Sequence, residues 1–418
     1  MGQGTRLVFV MALLTLLATG CWDRREINEL AFVSSMAFDL EGEKRILTAE
    51  IIRSAAVAGG GDAGGGGATS PARPQRSVVI SSEEGDTLFG AGRWLATKLP
   101  RRAYVAHTAA VLVGEEMARR GLAEVLDFLD RHQEFRRSTC ILLTRGPAAN
   151  ILVEAQGGLE DSLGREIAGL AKWVRVSGYG FIPNIHDLLQ DLSGGGASTL
   201  IPVLEFSPQP QPPVSGRVPS GPGASPPTGL PAEPEIVRTV ALDGAGLFHH
   251  DRLVGWLDRR QVRGWAWARN RVVRAVLELE CPGDGSKLSV EITEVEGDIK
   301  IEAKNSLLEG VIKVKVEGNL LEQQCTHDFT TPEALQALED RAATFIAAEI
   351  RSALEQAQEA GADVFGFGGA LYRKEPRLWK ELHNRWREEF SELPVTVQVE
   401  AKMRRTGLTS RPWQPPAR

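Results

Sequence analysis

Cysteine is scarce in this chain: four residues in 418, at positions 21, 140, 281 and 325. No two have CxxC spacing, so the usual dithiol and zinc-ribbon motifs are excluded. Long apolar runs are also missing. A helix needs roughly 20 apolar residues to span a hydrocarbon core, and no stretch reaches that length. Excess positive charge is absent: 48 Lys and Arg stand against 54 Asp and Glu, a net charge of −6. Nothing in that balance suggests a nucleic-acid partner. There is no GxSxG elbow, no HExxH helix and no GxxxxGK phosphate loop, so the main hydrolase, zinc-protease and P-loop signatures are missing. The reading is non-enzymatic: no catalytic residue, no cofactor site and no metal site is assigned.

What is present begins with a junction. Leu7 to Ala18 is an apolar run broken only by Thr15, preceded by Arg6. It is too short to span and reads as the core of a secretory signal over residues 1–20. The sequence Leu17-Ala18-Thr19-Gly20-Cys21 then resembles a bacterial lipoprotein box. Cleavage after Gly20 would leave Cys21 as the first mature residue, carrying N-acyl and S-diacylglyceryl groups. Two or three acyl chains anchor stably where one does not, at about 0.8 kcal/mol per buried methylene.

The remaining chain is too long for one ordinary core. Its 42% hydrophobic and 24% charged residues are globular values. Ile27–Phe38 and Arg45–Arg53 read as a hairpin across Asp39-Leu40-Glu41-Gly42. A glycine-rich loop at 58–70 contains a formal GxGxxG at Gly59, Gly61 and Gly64, better explained by low complexity than by nucleotide binding. Strands are expected near 77–82, 104–113 and 139–144. Leu122, Val125, Leu126 and Leu129 lie at i, i+3, i+4 and i+7 of a helix. Further helices are expected after Gly146-Pro147, over 162–174 and over 185–192.

Residues 207–235 carry ten prolines and form a linker or loop. The domain reading is therefore 21–206, then 236–407, with a tail at 408–418. Beyond the prolines the texture is β-rich. Val290–Val295 and Ile299–Ala303 read as strands flanking a tight Glu296-Gly297-Asp298 connection. Ile312, Val314 and Val316 alternate with charged residues, the period of a half-wet strand. Thr330-Thr331-Pro332-Glu333 predicts the start of a long helix that ends at Gly361, with a threonine as cap, the proline in the first turn and Glu333 reaching back to form a capping box. A second helix is expected over Pro376–Phe390, and Val395–Met403 alternates as a closing strand. The class is α+β, with helices on one face of an antiparallel or mixed C-terminal sheet.

Four features carry open alternatives. Cys281 and Cys325 pair if their strands are neighbours; otherwise they are isolated buried thiols, which the leftover Cys140 favours. His249-His250-Asp251 is the only histidine cluster, and an exposed turn explains it better than a metal site, which needs further converging ligands. Trp265 and Trp267 would share one strand face, filling a core rather than forming a sticky surface. Gly366-Phe367-Gly368-Gly369 reads as a flexible aromatic turn, and His107 as a capping or packing residue.

Gly20-Cys21-Trp22-Asp23-Arg24-Arg25-Glu26-Ile27-Asn28-Glu29-Leu30 resembles the start of the Ger(x)C family, the lipoprotein C subunits of nutrient germinant receptors in endospore-forming bacteria. Three further blocks are similar to that family: His107–Arg137, Gly246-Leu247-Phe248 with Leu253–Leu257, and Asp363–Gly368 with Trp379, Trp386, Phe390 and the closing strand into Arg404-Arg405-Thr406-Gly407. The glycine loop and the proline stretch depart from the pattern at places where insertions are tolerated. The resemblance implies a three-domain mixed α/β body on the outer face of the cell membrane that becomes the spore inner membrane. It also implies partnership with integral membrane A and B subunits, a role in triggering germination, and no catalysis. Whether such a subunit binds germinant stays open. The alternative is a solute-binding lipoprotein of a transport system, against which the β-rich second half argues.

Overall fold

The computed structural model describes residues 26–53, 77–155, 159–194, 198–207, 238–282, 285–304, 307–325 and 327–405, with Gly2 and Gly4. Cys21, the glycine loop 58–70, nearly all of 207–235 and the tail 408–418 lie outside the described residues.

The chain folds as α+β around two mixed sheets. The first has nine strands in the order β3-β2-β1-β5-β6-β7-β8-β9, with β4 paired to β1 off this path. Its centre is β1 (Leu30–Glu41), a strand buried on both faces. Antiparallel β2 (Lys44–Ile52) and β3 (Val78–Gly85) lie on one side. On the other side come β5 (Ala110–Gly114), β6 (Cys140–Thr144) and β7 (Ser198–Phe206), all parallel to β1. The short β4 (Arg102–Tyr104) extends the open end of β1. The hairpin carries two buried carboxylates that hold helix N-termini. Asp39 accepts from the Ala148 and Ala149 amides at 2.6 and 2.9 Å, and Glu50 accepts from Leu163 and Gly164 at 2.9 and 3.2 Å. Each satisfies amides that a first helical turn leaves unpaired.

The proline-rich stretch leaves and returns at one place. The Ser207 amide donates to Thr239 O at 2.8 Å, and β8 (Val240–His249) pairs antiparallel with β7. With β9 (Arg252–Leu257) it completes the first sheet. The stretch thus connects two neighbouring strands, and the last two strands of the first sheet follow it in sequence.

The second sheet has the order β10-β11-β12-β13. Strands β10 (Ala275–Glu280), β11 (Lys287–Lys304) and β12 (Leu307–Gln323) are antiparallel, and β13 (Val395–Arg405) returns parallel to β12. The helix Pro332–Ala360 lies against it, 29 residues long and so about 43 Å at 1.5 Å per residue. Its stripe of Leu338, Ala342, Ile346, Ile350 and Leu354 is buried. Gly361 closes it at φ +63°, a left-handed cap that glycine adopts without steric cost. A disulfide joins Cys281 and Cys325, at the ends of β10 and β12. The isolated-thiol reading is therefore overturned for these two, while Cys140 is free.

Several local expectations are corrected. Glu296-Gly297-Asp298 is no turn: β11 runs through it, with Gly297 opposite Val314. The glycine is there because the preceding helix end presses on it; a Cβ at 297 would meet Ala268 O at 2.6 Å and Trp267 O at 2.8 Å. Trp265 and Trp267 sit on a helix, Arg259–Ala268, which Asp258 and Gln261 open with a capping box. Both rings are buried, as the core reading required. Thr331 caps the long helix through the Ala334 amide, but Glu333 is one position too early to close the box. The expected helix over Pro376–Phe390 is three pieces, Pro376–Leu382, His383–Arg385 and Trp386–Ser391.

Candidate functional site

The two sheets meet along a seam containing two adjoining hollows of about 420 and 440 Å³. They share Ser193, Gly194 and Tyr372. The side of the first sheet contributes the end of the helix Ile185–Ser193, the start of β7 and the β8–β9 turn. The second half contributes the end of the Trp265 helix, the Asp363 loop and the helical pieces around Trp379 and Trp386. Another hollow, about 460 Å³ beside β10, is less promising because its two basic groups already have partners: Lys287 pairs with Glu280, and Arg341 donates to Glu280 O.

Asp363 organises the seam. It is 4% exposed, and its carboxylate accepts four hydrogen bonds. Gly366 N and Phe367 N reach Oδ1 at 2.8 and 3.0 Å; Gly368 N and Trp386 Nε1 reach Oδ2 at 2.6 and 3.0 Å. Burial pushes its pKa up, opposed by these donors. The Gly366–Gly369 segment is consequently no flexible turn. Gly366 stands at φ +86°, and the helix Phe367–Lys374 starts at once, with the carboxylate holding its first amides. Gly368 permits close contact, since a Cβ there would lie 2.6 Å from Trp386 Nε1. Trp379 packs edge-on to Trp386 at 5.3 Å between centroids.

His249 and His250 form the β8–β9 turn, where His250 has φ +53°. Their rings stack edge to face at 4.5 Å. His249 Nδ1 is buried with no hydrogen-bond partner among the described residues. Burial, then His250 and Arg387, push its pKa down to about 4. A depressed imidazole pKa means the folded state binds fewer protons than the unfolded one, so stability is present above about 6.5 and is lost as pH falls toward 4. His249→Asn should therefore flatten the melting temperature between pH 6.5 and about 4 relative to the parent. Parallel melting curves across that range would contradict the assignment. Asp251 is not a third seam ligand; it accepts from the Ala123 amide at 3.2 Å on another side. His107 packs with Phe32 and Tyr104 at 5.7 and 5.6 Å.

The seam unites motifs that lie more than a hundred residues apart, His249-His250 and Asp363–Gly368 with the two tryptophans. Its arginines, Arg269, Arg271 and Arg373, were missed. They carry no spacing signal, and only the fold brings them together. The predicted lipid-attachment residue, Cys21, lies outside the described residues. The nearest described residue is Glu26, which leads through a short turn, Ile27–Glu29, into β1. Among the described residues no helix is long and apolar enough to cross a membrane.

Comparison with known proteins places this architecture. Residues 23–206 match the family described as "Spore germination protein N-terminal domain", and residues 243–407 match "Spore germination B3/ GerAC like, C-terminal". The chain is 28% identical to spore germination protein KC of Bacillus subtilis (strain 168) over 415 residues, covering 97% of each chain. It is 22% identical to spore germination protein B3 of the same organism, covering 94% of this chain and 96% of that one. Among solved structures it is similar to the crystal structure of the GerBC protein, with a TM-score of 0.52 and 18% identity over 91% of this chain and 99% of that one. The seam falls between the two matched regions, built from both. With its two sheets and both sequence regions accounted for, the chain belongs to the Ger(x)C, or GerAC-like, family of spore germination proteins.

Proposed function

We propose that this chain is the lipid-anchored C subunit of a nutrient germinant receptor. In this reading Cys21 is acylated after cleavage behind Gly20. The body sits on the outer face of the cell membrane that becomes the spore inner membrane, acts with integral A and B subunits to trigger germination, and catalyses no reaction. The observation that carries the reading is the match of both family regions in order across nearly the whole mature chain. The geometry supports it. Glu26 is five residues from Cys21, so the tether spans at most about 18 Å at 3.3–3.6 Å per residue. The body would thus be held against the bilayer surface, where confinement raises the effective concentration of membrane partners.

Cys21→Ala is expected to move the protein from the detergent phase to the aqueous phase on detergent partitioning of membranes. A variant that stays in the detergent phase would remove the lipid anchor from the account. The partnership is tested separately. Capture of the tagged chain from solubilised spore membranes should recover two multi-spanning proteins. Recovery of an ATPase-linked permease would instead support a solute-binding lipoprotein of a transport system.

A further inference from the structure

The arginine-lined hollow of the seam gathers three arginines against two carboxylates, Asp191 and Asp363. Arg269 lies half-buried at the end of the Trp265 helix and donates from Nη1 to Phe365 O at 3.1 Å. Arg271 and Arg373 line the same hollow. None of the three joins an ion pair among the described residues, although other arginines on this chain do so repeatedly. Burial lowers the pKa of Arg269; Asp191 and Asp363 oppose the shift, while Arg271 and Arg373 add to it. Two carboxylates face the hollow. Asp363 has both oxygens occupied by the four donors of its loop. Asp191 takes one hydrogen bond at Oδ2, from Thr199 Oγ1 at 2.9 Å. Three guanidinium groups and one less occupied carboxylate therefore line a space of about 420 Å³, together with Trp265 and Tyr372.

We propose that this hollow binds a small α-amino carboxylate, with its carboxylate on the Arg269, Arg271 and Arg373 cluster and its ammonium toward Asp191. Guanidinium forks match a planar carboxylate in two-point contacts, and a half-buried site strengthens each one. A phosphate dianion would face Asp191 and Asp363 at close range and is disfavoured. The volume suits a molecule of amino-acid to dipeptide size. Because the walls come from both halves of the chain, an occupant would bridge them and stiffen the seam. The site does not depend on the receptor assignment, since these residues would hold the ligand whatever the membrane partners.

The test is calorimetric titration of the full-length protein in detergent with L-alanine, L-leucine, L-glutamine and L-glutamate, one at a time. Inorganic phosphate and glucose serve as competitors. At least one amino acid should saturate at concentrations up to about 10 mM, the weak end of useful affinity. Arg269→Gln and Arg373→Gln should each weaken that binding by about tenfold or more. Arg373 is exposed, so its variant keeps the test independent of folding. No saturation by any of the four would overturn the site. So would binding that both variants leave unchanged, or displacement by phosphate ahead of glucose. Failure here would leave the capture of two multi-spanning partners unaffected, so the two proposals fail separately.

Discussion

Glu349→Leu should destabilise the chain by about 3–5 kcal/mol, the cost of leaving a buried charge without its partner. Arg263 and Glu349 are 3% and 7% exposed at the side chain. They join the helix Arg259–Ala268 to the long helix Pro332–Ala360. Arg263 Nε reaches Glu349 Oε2 at 2.9 Å, Nη2 bonds Oε1, and Trp267 Nε1 donates to Oε2 at 3.1 Å. The guanidinium also lies 4.3 Å from the Tyr179 ring centroid. The helices are locked close at this point, because a Cβ on Gly264 would stand 2.1 Å from Glu349 O. With so little room, water cannot easily replace the lost carboxylate. Equilibrium urea unfolding should show the loss as a lower midpoint with the slope unchanged. The double variant Arg263→Met, Glu349→Leu should recover most of it, since matched apolar replacement of a buried pair is often neutral. It should stop short of full recovery, because the Trp267 indole keeps no acceptor, at about 1–2 kcal/mol. A Glu349→Leu midpoint equal to the parent's would contradict the buried-pair account.

The same region shows what the sequence could and could not reveal. The long helix was readable: a threonine cap, a first-turn proline, an apolar stripe and a terminal glycine all agree. Strand β12 was readable from its alternation. The Trp265 helix was not, because Val262 to Ala268 is buried on every side and a helix buried all round loses its amphipathic signature. Two tryptophans two apart then mimic a strand. Gly297 was misread for a related reason. Glycine marks both turns and close backbone approaches, and only the fold distinguishes them. Pairing of β7 with β8 across the proline stretch, the Cys281–Cys325 bridge and the seam arginines are all contacts between distant residues. No local period encodes them.

Asp363→Ala should be at least as damaging as the loss of Glu349. The change removes the acceptor for three backbone amides and one indole at a buried position. Each unsatisfied buried donor costs about 1–3 kcal/mol, although local rearrangement shares the burden. A loss of about 4 kcal/mol or more is expected, enough to depopulate the folded second sheet in a marginally stable protein. Asp363→Asn separates packing from charge. Its carbonyl oxygen can still receive Gly366 N and Phe367 N, but its amide nitrogen would face Gly368 N and Trp386 Nε1, donor against donor. The asparagine variant should therefore fall between the parent and alanine, with the indole of Trp386 freed from its partner. Trp386 is 4% exposed and packs against Trp379, so release should red-shift the tryptophan emission and quicken exchange of the indole proton before global unfolding. The seam hollows share this loop with the helix Phe367–Lys374, which carries Tyr372 and Arg373. If the Asp363 clamp sets their position, the asparagine variant should also lose amino-acid binding at temperatures where its circular dichroism is still native. Unchanged emission and unchanged stability in Asp363→Asn would show that the loop is held by something other than this carboxylate.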